Sequence, residues 1–246
     1  KSLKGNPELQ KKFLTASHEG MNAAQKKIIE FIQSDEPLTD SHQVLFTGIA
    51  DAMAWQLIGQ QLCHARRFYK GHPPLNFKES NFESVVYCAE EMARQEPGSI
   101  SIISDLTSFV QIGDLLKMDA SGRTTVAEVK EGKKNHEILE FMNFFIETPC
   151  SHALNHFAQQ HGESGVKQLG RMFRQAERMN HVTEVMRKGN SIDPDTKQVI
   201  HIPEKPVFID NWDEELNEIL KDCDTKGWGW EIVDDCLFIG AYSKDT

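Results

Sequence analysis

Asp114, Glu128 and Lys130 are the residues whose types and spacing promise chemistry. They lie in the stretch I-G-D-L-L-K-M-D-A-S-G-R-T-T-V-A-E-V-K-E-G-K-K, residues 112–134. Asp114 opens one predicted strand, a turn follows at Asp119, Ala120, Ser121 and Gly122, and a second strand carries Glu128-Val129-Lys130. Side chains alternate along a strand, so Glu128 and Lys130 are expected on one face with Val129 turned to the core. A hairpin then brings Asp114 beside the pair. Two carboxylates and one ammonium at a sheet edge suit a Mg²⁺- or Mn²⁺-dependent phosphodiesterase. Asp114 and Glu128 would ligate the metal with the main-chain carbonyl of Val129. Lys130 would position or help deprotonate the attacking water and offset charge on the phosphate.

The elements that must hold these residues can be read along the chain. Residues 1–16 are polar and lysine-rich and read as an arm or a frayed helix. Ser17 caps a predicted helix through Met21, Ile28 and Ile32, which Pro37 ends. A long helix is expected from Ser41 to the basic pair Arg66-Arg67, then a break at Gly71–Pro74, then a helix from about Asn81 to Gln95 with Phe82, Val85, Ala89 and Met92 at helical spacing. Past Pro97-Gly98 the pattern changes to three extended runs, Ser99–Leu106, Phe109–Met118 and Thr124–Val129, an antiparallel meander. Helix returns at 135–147, and a helix or a pair of helices covers 152–186, with Gly162 and Gly165 marking an interruption. Strands at 199–202 and 206–209, a short acidic helix near Asp213–Cys223 and a hairpin from Trp228 to Tyr242 turning at Asp234-Asp235 complete the chain.

This order of helix, meander and helix, with an acid on the second strand and E-x-K on the third, resembles the core of the PD-(D/E)xK nuclease superfamily over roughly Asn81–Glu147. Carried over, Asp114 matches the first motif acid, Glu128 the second and Lys130 the lysine, while Gly113 stands where the motif has proline. The resemblance implies an α+β, α/β/α-like fold: a central mixed sheet containing the meander, flanking helices and a helical N-terminal region. It also implies an additional metal-binding acid from the preceding helix, for which Glu83 is the choice over Glu90 and Glu91.

Candidate contacts to a polyanion lie nearby. Lys133 and Lys134 start a predicted helix, where cations and free N–H groups grip phosphate. Lys167, Arg171, Arg174 and Arg178 recur at i, i+4, i+7 and i+11, one stripe of a helix, with Gln168 and Gln175 flanking it. His152, His156 and His161 lack the glutamate of a H-E-x-x-H metal site and are expected at the surface or in packing. Trp228 and Trp230 are expected to pack in a core or an interface rather than stack on bases.

Composition bounds these readings. A chain of 246 residues with 39% hydrophobic and 26% charged content suits a globular protein with a sizeable core. The apolar stretch Val44–Leu62 is interrupted by Asp51, Gln56, Gln60 and Gln61, so a buried helix is expected rather than a membrane span. The first residues carry no secretion signal, and five scattered cysteines without a CxxC suit free thiols in a cytoplasm. Net charge is −10, and residues 210–246 hold eleven acids against Lys221, Lys226 and Lys244, or −8. The rest is nearly balanced, so non-specific DNA affinity should be modest. The expected organisation is a helical region at 1–78, a nuclease-like core at 79–190, and C-terminal strands at 191–246 packed on the same sheet. The expected function is a Mg²⁺- or Mn²⁺-dependent nuclease, DNA first, acting with a partner protein or as a homo-oligomer, an arrangement resembling prokaryotic defence effectors. The alternative is a catalytically inactive nuclease-like scaffold subunit.

Overall fold

The computed structural model describes residues 6–73, 75–77, 82–202, 212–233 and 237–243, and the chain divides into two compact units, Lys1–Gly59 with Cys63–Glu204, and Gln60–Leu62 with Lys205–Thr246. The expected strand at 206–209 and the turn at Asp234-Asp235 lie outside the described residues.

The first unit opens with α1 (Pro7–Ile32). Asn6 Oδ1 accepts from the Leu9 N–H at 3.0 Å, and Pro7 takes the first position, where its missing N–H costs nothing. This cap lies well ahead of Ser17, so most of the expected arm is helix. Thr39 and His42 form a reciprocal capping box for α2 (Asp40–Leu57). The long helix expected from Ser41 to Arg67 is instead two helices. Gly59 and Gln60 both adopt positive φ (71° and 57°), which ends α2 before α3 (Leu62–Phe68) begins.

Next come α4 (Glu83–Gln95), β1 (Ile100–Ile103), a single 3₁₀ turn (Ser104–Leu106), β2 (Leu115–Met118), β3 (Thr124–Ala127) and α5 (Lys133–Glu147). The three strands form an antiparallel meander in the order β1-β2-β3, with Ile102 opposite Leu116 and Leu115 opposite Ala127. Ile100, Ile102, Ile103, Leu115 and Leu116 are fully buried, in one core with Ile28 and Ile29 of α1, Ala50 and Ala54 of α2, and Val85 and Ala89 of α4. Side chains of α1 satisfy the open edge of β1. Gln25 Nε2 donates to the Ser101 carbonyl and Gln25 Oε1 accepts from the Ile103 N–H, both at 2.9 Å, and Asn22 donates to the Ser99 carbonyl at 3.0 Å. A helix thereby occupies the place of a fourth strand, which answers the edge-strand liability.

α6 (Ser151–Lys188) is long but bent at Gly162, whose φ of 64° is not helical. Phe157, Leu169 and Met172 of α6 join Ile138 and Met142 of α5 in a smaller second core. The short hairpin of β4 (Asn190–Ile192) and β5 (Val199–His201) ends the unit.

The second unit contains α7 (Asp213–Lys226), β6 (Trp228–Val233) and β7 (Leu237–Tyr242). Its hairpin and β4–β5 are separate two-stranded antiparallel sheets. The expected mixed sheet, completed by the C-terminal strands, is therefore corrected: each later hairpin closes on itself, and every described strand pairing is antiparallel. The α+β class holds. Among the described residues no helix is long and apolar enough to cross a membrane.

Candidate active site

The β2–β3 hairpin places the site, and Asp119 holds its turn. Asp119 Oδ1 accepts from the Ser121 and Arg123 N–H groups, both at 2.9 Å, and from the Ser121 hydroxyl at 2.5 Å, while Oδ2 accepts from Arg123 Nε at 3.0 Å. These bonds, the serine hydroxyl foremost, hold the carboxyl at a pKa of about 2.

At the other end of the hairpin, Gly113 has φ 74° and lies so close to β3 that a Cβ would collide with Val126 Cγ1 and crowd the Ala127 carbonyl. Proline, fixed near −65°, cannot adopt this backbone. Asp114 follows, one residue before β2, and extends the ladder on both sides. Its N–H donates to the Ala127 carbonyl at 2.8 Å, and its carbonyl accepts from the Ser104 N–H at 2.9 Å.

β3 ends at Ala127, so Glu128 and Lys130 lie beyond the ladder rather than on the expected strand. Asp114 takes over as the partner: its Oδ2 accepts from the Val129 N–H at 2.6 Å. Val129 thus meets Asp114 through its N–H. Lys130 Nζ lies 2.7 Å from Glu128 Oε1, so the two side chains do converge. Gln175 of α6 closes the set, its Nε2 donating to Glu128 Oε1 at 2.9 Å and its Oε1 accepting from Lys130 Nζ at 3.0 Å. Glu128 and Lys130 are each only 15% exposed, which makes this a sheltered pair rather than a solvated surface bridge.

A third carboxylate enters from the 3₁₀ turn after β1. Burial pushes the Asp105 carboxyl above its ordinary range, the negative charge of Glu128 pushes it further, and no hydrogen bond opposes the rise. Asp114 is also raised, first by burial, with Glu128 and Asp105 adding to the rise while the Val129 N–H and Lys130 oppose it. Asp105, Asp114 and Glu128 line one cleft of about 350 Å³ together with Gln111, Arg171 and Gln175. Gln111 shapes its rim: Oε1 accepts from the Lys70 and His72 N–H groups at 2.7 and 3.2 Å, and Nε2 donates to the His72 carbonyl at 2.7 Å.

The other candidates are dispersed. Glu83 lines a different groove with Gln33, Val86, Tyr87 and Glu90, away from the Asp114 cleft. Lys133 is 93% exposed beside Glu137, and Lys134 Nζ bonds Ser164 Oγ at 3.1 Å. The basic stripe divides by partner. Lys167 pairs with Glu163 at 2.7 Å, and Arg178 is bidentate on Asp195 at 3.0 and 3.2 Å. Gln168 Nε2 lies 3.4 Å from Asn135 Oδ1. Exposed Arg171 reaches the cleft, and Arg174, also exposed, has no acidic partner among the described residues. His161 packs on Phe157 with ring centroids 4.4 Å apart, a packing role as expected.

Asp105 and Gln111 line the cleft without a sequence motif to mark them. The available signal was Ser104-Asp105, a polar break inside the apolar run Ile100–Leu106, in a stretch read as continuous strand.

Among the described residues no three His, Cys, Asp or Glu side chains form a ready-made metal cage. The donor set nonetheless suits a hard cation that keeps most of its waters and is held by one or two carboxylates. Asp114 Oδ1 and Glu128 Oε2 carry no hydrogen bond among the described residues, and burial raises the Asp105 and Asp114 carboxyls, with the negative charge of Glu128 adding to the rise. No family model matches the chain, and no curated protein and no solved structure matches it either.

Proposed function

We propose that the protein is a metal-dependent phosphodiesterase that cleaves nucleic acid, DNA in the first instance. The observation that carries the reading is the convergence of Asp105, Asp114 and Glu128 on one cleft, with the Lys130 ammonium 2.7 Å from Glu128 Oε1. Asp114 and Glu128 would hold Mg²⁺ or Mn²⁺, with Asp105 as the adjacent acid. A bound divalent ion would polarise the scissile phosphate and lower the pKa of its water. Lys130 sits beside Glu128, where its ammonium can orient a water and offset charge developing on a phosphoryl oxygen. Gln175 fixes both side chains in place. Arg171 at the cleft is the cation best sited to bind the flanking phosphate. Lys167 and Arg178 are already neutralised by acids, so this chain's grip on a polyanion is weak and a partner protein would strengthen it.

The test is cleavage of plasmid, single-stranded DNA and RNA with Mg²⁺ or Mn²⁺. Lys130→Ala is expected to lose about 10²–10⁴-fold in rate. Equal cutting by wild type and Lys130→Ala would sink the assignment. A second reading, a catalytically inactive scaffold with a nuclease-like hairpin, is favoured by the absence of a three-ligand cluster among the described residues. It predicts no activity on any of the three substrates and no Mn²⁺ binding by calorimetry.

A further inference from the structure

The C-terminal hairpin carries an apolar face that no described residue of its own unit covers. Cross-strand register sets Trp228 opposite Tyr242, Trp230 opposite Gly240 and Ile232 opposite Phe238. With period-2 alternation, these six residues share one face. Trp228 and Trp230 are 47% and 52% exposed, and Phe238 and Tyr242 are 69% and 76% exposed. Trp230 and Phe238 stack with centroids 5.9 Å apart. The opposite face is the packed one. Val233 and Ile219 of α7 are buried, and a Cβ on Gly229 would run into the Ile219 carbonyl. The hairpin has therefore already placed one face on α7, and four aromatics remain outward on the other. A contiguous exposed patch of this kind marks an interaction surface.

The net charge of the unit, carried on α7 and on the α7 side of β6, selects the partner. None of the six residues is ionisable near neutral pH, yet the unit that presents them is acidic. Lys221 pairs with Glu218 at 2.6 Å and Lys226 with Asp222 at 2.9 Å, so both described lysines are spent internally. Glu214, Glu215, Asp224 and Glu231 have no cationic partner among the described residues. A second copy would oppose acid to acid, and a nucleic acid would be repelled although its bases can stack. An arginine-rich or lysine-rich polypeptide meets both demands, because cationic side chains stack on indole and phenyl rings while the net negative charge of the unit attracts them.

We propose that the exposed aromatic face of the β6–β7 hairpin docks an extended cationic segment of another protein. Strands of six residues span about 20 Å, enough for roughly six residues of extended peptide. The inference rests on the exposure and charge of this unit and not on the phosphodiesterase reading.

The experiment uses the full chain and a fluorescein-labelled peptide alternating arginine and leucine, followed by anisotropy at low and high salt. Wild type is expected to bind, more weakly as salt rises. Trp230→Ala and Phe238→Ala should each weaken binding ~10-fold or more. Trp230→Tyr should retain most of it, Glu214→Gln with Glu215→Gln should weaken it modestly, and Lys130→Ala should leave it unchanged. Far-UV circular dichroism confirms that each variant is folded. The proposal is overturned if the peptide does not bind, if the folded alanine variants bind as wild type does, or if a counterpart with glutamate for arginine binds equally. It is also overturned if wild type sediments as a dimer that Trp230→Ala dissociates, which would make the occupant a second copy. A single-stranded oligonucleotide whose binding depends on Trp230 would overturn it in favour of nucleic acid.

Discussion

The Val129 N–H donates to Asp114 Oδ2 at 2.6 Å, tying the acid that opens β2 to the chain leaving β3. The same aspartate makes a main-chain link to that segment too, its own N–H donating to the Ala127 carbonyl at 2.8 Å. Asp114 is thus a structural clamp on the segment that carries Glu128 and Lys130, as well as a candidate ligand. The two roles separate by substitution. Asp114→Ala leaves the Val129 N–H without an acceptor and should cost about 1–3 kcal/mol of stability. Asp114→Asn keeps an acceptor oxygen and should cost less than about 1 kcal/mol, yet lose ~100-fold or more of any divalent-cation-dependent cleavage, more than outer-shell changes typically remove. Urea denaturation and a cleavage assay on both variants read the two effects. Equal stability of the two variants would dismiss the clamp.

Asp119 gives the hairpin an acid limit. Its carboxyl ionises at about 2 in the folded protein against an ordinary 3.8. A lowered folded pKa means that the unfolded chain binds more protons between these values, so the stabilisation is complete above about pH 4 and fades as pH falls towards 2. Asp119→Ala should lower stability at pH 7 by about 1–3 kcal/mol, because four donors lose their acceptor. It should also flatten the fall in Tm between pH 4 and 2. Scanning calorimetry across that window measures both. A variant that falls as steeply as wild type would exclude Asp119 as the titrating group.

Gly113 is expected to tolerate nothing larger. At φ 74° with Val126 and Ala127 against it, Gly113→Ala combines backbone strain with a clash. The loss should be about 2–4 kcal/mol, with reduced hydrogen-exchange protection at Asp114 and Ser104, whose ladder bonds flank the site. Wild-type protection at those amides in the variant would show that the close approach is relaxed at little cost.

Asp105 should behave as a residue kept at the expense of stability. Its carboxylate is half-buried, lies near Glu128 and gains no hydrogen bond among the described residues, so its charged form is disfavoured in the fold. A raised folded pKa makes this cost greatest at neutral pH and relieves it as pH falls through the acid range. Asp105→Asn should therefore raise Tm at pH 7, by about 2–4 °C for each kcal/mol relieved, and lower Mn²⁺-dependent cleavage. A variant that is both less stable and fully active would give Asp105 a purely structural place.

Much of this protein was set by the sequence alone, because it depends on neighbours in the chain. The periodic helices, the bend near Gly162, the meander after Pro97-Gly98 and the turn at Asp119–Gly122 all follow from local backbone and solvation rules. So does the nearness of Glu128 to Lys130. What needed the tertiary structure were the contacts between residues far apart in sequence, which no local pattern encodes. Gln175 reaches Glu128 across 47 positions to complete the site, Asp105 enters it from a turn hidden in an apolar run, and Asp195 removes Arg178 from the free cations. Glu83 stands on the helix before the meander, but that helix turns it towards another groove. The C-terminal tryptophans show the same division. Alternation put them on one face, and only the packing of α7 on the other decided that this face stays open to solvent.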